Sequence, residues 1–134
     1  MSSAAARRQY SRDGTGVVSN QRLLVMLFER LDRDLAQASS QCALGDRAGS
    51  HDAIVHAQDI LYELIGALDT GVWDGAEGLQ EVYVFCVNEL IAANMAQDPA
   101  RIDNCRVLLQ PIGQAWREVH TDGAAQAAPQ ASVG

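Results

Sequence analysis

The 134-residue chain carries ten Arg and no Lys against seventeen acids, for a formal charge of −7, and 48% of it is hydrophobic. A chain of this length makes one domain with a real core, and an acidic body argues against nucleic acid as the partner, because phosphate-backbone binding draws on clustered Lys and Arg. No apolar run approaches the roughly 20 residues of a membrane span, and Arg7-Arg8 has no apolar stretch behind it to make a secretory signal. Cys42, Cys86 and Cys105 are odd in number and widely spaced. That suits buried thiols and a cytoplasmic location.

Charge is uneven along the chain. Residues 1–30 hold five Arg against Asp13 and Glu29, and the remainder holds five Arg against fifteen acids. Residues 1–18 are small, polar and Gly-containing, with Tyr10 as the one large side chain. They are expected to form an arm without regular structure. Ser19 is a good N-cap for a first helix over about 20–42, with Leu23, Leu24, Leu27, Leu31, Leu35 and Ala38 on its inner face. Leu44-Gly45-Asp46 breaks that pattern, and Ser50 or Asp46 caps a second helix to about residue 69. Ile54, Ala57, Leu61, Leu64, Ile65 and Leu68 form its stripe, with Val55 and Tyr62 on the flank.

The third helix, roughly 76–96, is apolar over more than a single core seam requires. Leu79, Val82, Tyr83, Cys86, Val87 and Leu90 lie at i, i+3, i+4, i+7, i+8 and i+11. Val84, Ile91 and Met95 form a second apolar line, and Phe85 sits on the polar side. Such a helix either touches several neighbours or keeps spare surface for a partner. Asp98-Pro99 then starts a fourth helix, with Asp at the N-cap and Pro at the first helical position. It is expected to run to about His120. Pro111 lies inside it, at a cost of about 3 kcal/mol in a regular helix. The expectation is a kink near Leu108–Pro111, or a split into 99–109 and 111–120. From Thr121 the chain is Ala, Gln, Gly and Pro without periodicity, and a disordered tail is expected. Four amphipathic helices with short loops predict an all-α, antiparallel up-and-down four-helix bundle over residues 19–120.

No catalytic, cofactor or metal site is expected. None of the six Glu has a His three residues on, as a di-metal carboxylate bundle would need. His51, His56 and His120 have no ligand spacing. One enzyme-like alternative is a histidine phosphotransfer bundle using His56 on the polar face of helix two. Against it, Asp59 follows one turn later and would repel a phosphoryl group.

An ordered set of residues adds a resemblance. Tyr10, then Gln21-Arg22-Leu23-Leu24-Val25-Met26-Leu27-Phe28, then His56-Ala57-Gln58-Asp59-Ile60-Leu61-Tyr62-Glu63-Leu64, are followed by Leu68-Asp69 and by Leu79 with Val82-Tyr83-Val84-Phe85. Leu90-Ile91-Ala92-Ala93-Asn94 and Ala115-Trp116 complete it. Over about residues 10–118 the chain resembles the FliS family of flagellar secretion chaperones. His56, where a Lys is usual, Trp73 and Pro111 depart from that pattern. The resemblance implies a cytosolic, non-enzymatic chaperone. It would bind the disordered C-terminal segment of flagellin, block premature polymerisation and deliver the subunit to the flagellar export gate. The arm with Tyr10 would lie over part of the same surface. Helix-in-groove binding needs spare apolar anchors, and Val55, Tyr62, Val84, Phe85, Ile91 and Met95 are of that kind. Tyr83 is either a partner contact or core, and Asn94 either a partner contact or a capping residue. Exposed grooves of this sort could also pair weakly with a second copy.

Overall fold

The computed structural model describes the backbone of residues 17–68 and 75–133, and side-chain surroundings for 21–68 and 75–119. Four helices follow in order: α1 (Val17–Ala43), α2 (Arg47–Ala67), α3 (Ala76–Ala96) and α4 (Pro99–Val133). Each packs on its chain neighbours, and α4 closes the ring against α1. The cross-helix pairs show the direction. Asp34 meets His56, His51 meets Asn94, Glu89 meets Arg101 and Asp32 meets Arg106. In each pair a residue in the later half of one helix meets a residue in the earlier half of the other, so all four seams are antiparallel. The architecture is the up-and-down bundle that the patterning predicts.

Two of the three reversals are built alike. At the end of α1, Gly45 adopts the left-handed conformation with φ 81°. Its N–H donates to Cys42 O at 3.1 Å, and the Asp46 N–H donates to Gln41 O at 2.9 Å. That is a Schellman closure. Asp46 then caps α2, its carboxylate accepting from the Gly49 N–H at 3.0 Å. At the end of α3, Gln97 takes the left-handed position with φ 51°. Asp98 N–H donates to Ala93 O, and its carboxylate caps α4 by accepting from the Ala100 N–H at 3.0 Å. In both turns one left-handed residue closes a helix, and the Asp after it opens the next.

The core follows a three-four repeat. Phe28, Leu31, Leu35, Ala38 and Cys42 come from α1, and Ala53, Ile54, Ala57, Ile60, Leu61 and Leu64 from α2. Tyr83, Cys86, Val87, Leu90 and Ala93 come from α3, and Ile102, Cys105 and Leu109 from α4. This spacing gives the shallow crossing of bundle helices. The Phe28 and Tyr83 rings meet across the middle, centroids 6.3 Å apart. At α1–α4 the approach is close: a Cβ on Gly113 would lie 3.3 Å from the Phe28 side chain.

Helix bounds differ from the sequence expectation in three places. α1 begins at Val17, so Ser19 lies in its first turn rather than at its cap. α4 is a single helix through Pro111, not two, and it runs to Val133 where a disordered tail was expected after residue 120. Pro111 is tolerated because the carbonyl it leaves without a donor belongs to Val107, whose side chain is exposed. Beyond residue 120 the many Ala residues are the best helix formers, and extending a helix avoids the cost of nucleating one. Trp73 and the expected stop at Asp69-Thr70-Gly71 lie outside the described residues.

Gly45→Ala should lower stability by about 1 kcal/mol, the cost of a left-handed non-glycine residue. Nothing lies within 4 Å of the added methyl group. In a urea titration the midpoint should therefore fall with the slope unchanged.

Candidate functional site

Several apolar residues left outside the core fall along two seams. On α2, Val55 and Tyr62 lie seven residues apart, and on α3, Val84, Ile91 and Met95 continue one line. All five are exposed, with Tyr62 at 55% and Met95 at 78%. The Asn94 amide nitrogen donates to His51 Nδ1 at 2.7 Å and pins α2 to α3. With the helices antiparallel, that register brings Val55 level with Ile91 and Tyr62 level with Val84. Sequence reasoning offered these five residues separately, and the fold gathers them along one outer seam. Asn94 serves as the tie at its end, and its own carbonyl accepts from the Gln97 side chain at 2.8 Å.

The second seam lies between α3 and α4. At one end Arg101 pairs with Glu89 at 2.9 Å. At the other, Leu79, Pro111, Ile112, Ala115, Trp116 and Val119 line an apolar hollow of about 360 Å³. Trp116 packs against the core but is only partly buried. The available signal was that Ile112, Trp116 and Val119 prolong the α4 stripe where α3 offers Leu79 alone. Phe85, at 49% exposure, stands on the outward face of α3 with Val84. A more polar cleft of about 640 Å³ runs between α1 and α4, over Phe28, Asp32, Arg33, Gln110 and Arg117.

Tyr83 is corrected. At 2% exposure it belongs to the core and cannot touch a partner. It falls at the centre of the main α3 stripe, and Phe28 covers it. Burial pushes its hydroxyl above the ordinary value of 10.0. Tyr10 lies outside the described residues. Cys86 and Cys105 meet between α3 and α4, with Cys105 Sγ 3.7 Å from the Cys86 carbonyl. The hydrogen bond to the Cys86 thiol, then burial, push the Cys105 thiol far up.

His56 does not stand free on the surface. Its Nδ1 is 2.5 Å from the buried carboxylate of Asp34, which also accepts from Arg30 at 3.3 Å. A phosphoryl group on this ring would meet Asp34 and Asp59, and Arg30 is already engaged by Asp34. Among the described residues no His, Cys, Asp and Glu group could hold a metal ion. Among the same residues no helix is long and apolar enough to cross a membrane.

The family model described as "Flagellar protein FliS" matches residues 2–123. The chain belongs to the FliS family. The flagellar secretion chaperone FliS of Campylobacter jejuni is 28% identical over 123 residues, covering 91% of this chain and 96% of that protein. The FliS chaperone of Salmonella typhimurium is 26% identical over 110 residues, covering 75% of this chain and 76% of its own. Within this FliS-family chain the matched stretch contains both seams and the whole core.

Two variants separate core from surface. Tyr83→Ala should cost about 3–5 kcal/mol, as large aromatic truncations do. Phe85→Asp should stay within about 0.5 kcal/mol of the parent. Both are read by urea denaturation. The raised Tyr83 pKa adds a pH effect. The folded state holds that proton more tightly than the unfolded one, so the contribution is full below pH 10 and is lost as pH rises above it. Tyr83→Phe should remove this loss between about pH 9 and about pH 11.

Proposed function

We propose that this FliS-family chain is a cytoplasmic export chaperone for flagellin. It binds the disordered C-terminal segment of flagellin, prevents premature polymerisation and brings the subunit to the flagellar export gate. It acts without catalysis or cofactor. The observation that supports this is the outer seam of Val55, Tyr62, Val84, Ile91 and Met95, apolar side chains left over once the bundle core is closed. Docking there would bury anchors at helical spacing. The apolar hollow around Trp116 lies on the other flank of α3, so a segment long enough to reach both would wrap the bundle. Wrapping matters energetically. A segment that folds on binding loses ordering entropy, and only a large contact area offsets it.

The test is calorimetric titration with the C-terminal segment of flagellin from the same organism. Binding at 1:1 with a large negative heat-capacity change is expected. Ile91→Asp and Phe85→Asp should each weaken it by about tenfold or more, or about 1.4 kcal/mol, with thermal midpoints unchanged. A segment that fails to bind at micromolar concentration would remove the flagellin assignment.

A further inference from the structure

The outward face of α3 is not uniformly apolar. Two ridges run along it at four-residue spacing, Glu77–Glu81–Phe85 and Gln80–Val84–Asn88. Between them lies a groove of about 560 Å³ lined by these six exposed residues. Among the described residues neither Glu77 nor Glu81 has an ion pair or a hydrogen-bond partner, whereas Glu89 on the same helix is paired with Arg101. Glu77 has a local reason to be acidic, since it lies in the first turn of α3 where the helix dipole favours a negative charge. Glu81 has none. It stands beyond that turn, and at i, i+4 from Glu77 it adds like-charge repulsion. Next to it an aromatic ring and a valine face solvent.

We infer that this face docks a cationic amphipathic helix: an apolar side chain seats between Phe85 and Val84, and a Lys or Arg one turn away pairs with Glu81 and Glu77. The charge complementarity selects the occupant. An acidic or purely apolar helix would leave two carboxylates desolvated and unpaired against it. The inference rests on the flagellin reading and names the part of that segment which lies on α3, a basic turn next to an apolar residue. The ion pairs set orientation and salt sensitivity, and the apolar contact supplies most of the affinity.

The experiment titrates the synthetic flagellin C-terminal segment into the full chain and its variants at low and high salt. Glu77→Gln/Glu81→Gln should weaken binding about fivefold near 50 mM salt. Glu81→Lys should weaken it further. Both losses should shrink toward zero near 1 M salt, where the screening length is about 3 Å. Replacing each Lys and Arg of the segment by Glu in turn should identify one change that restores binding to Glu81→Lys. The thermal midpoint of Glu81→Gln should equal or exceed that of the parent, since a repulsion is removed. Parent and variants binding alike at low salt would overturn the inference and leave the flagellin reading intact. A lower melting point for Glu81→Gln would assign the carboxylate to a contact within its own chain and also overturn it. A parent that does not bind would overturn both.

Discussion

Two of the four helix seams depend on how two chain reversals are made. Gly45-Asp46 and Gln97-Asp98 each turn the chain back within a few residues. A left-handed residue terminates one helix, and the Asp after it satisfies the free N–H groups of the next. Because these joints are short and hydrogen-bonded, they leave little freedom for one helix to slide along its partner. The level at which Asp34 meets His56, or Glu89 meets Arg101, is thereby set at one end of the bundle. Between α2 and α3, where Val55 and Ile91 share a seam, the Asn94–His51 hydrogen bond does the same work.

Core closure is what turns apolar composition into surface. Four helices of this length hide a limited number of side chains, and the three-four repeat already fills that space. Val84, Phe85, Ile91 and Met95 are then surplus and stay in water. Exposed apolar area of this kind invites self-association. The net charge of −7 opposes it, because like-charged molecules keep apart. Acidic composition and apolar seams are thus opposed features of one surface: the charge disperses what the exposed side chains would draw together.

Much of this was legible in the sequence, for identifiable reasons. Strong 3.6-residue periodicity with Asp46, Asp98 and Pro99 as punctuation located the helices, and α3 runs over Ala76–Ala96 as patterning expects. The exposed residues were found because they fell off the stripe. Tyr83 was ambiguous because a Tyr serves core and interface equally well; only the covering Phe28 ring resolves it. The length of α4 is not legible, because the stretch beyond residue 120 lacks periodicity and alanine needs none to be helical. The pairing of His56 with Asp34 and the hollow around Trp116 were illegible because each depends on a second helix. No spacing within one segment encodes which residue lies across a seam.

Cys86 and Cys105 lie opposite each other between α3 and α4, and both are small. Helix axes separate by an amount that the side chains between them dictate. The thiol pair therefore acts as a thin spacer, and the spacing it sets on the inside reappears outside as the mouth of the hollow between Leu79 and Trp116. A bulkier residue at either position would prise the two helices apart and reshape that hollow without altering one residue of its lining. The shape of an outer hollow is in that way governed by two buried residues that take no part in its lining.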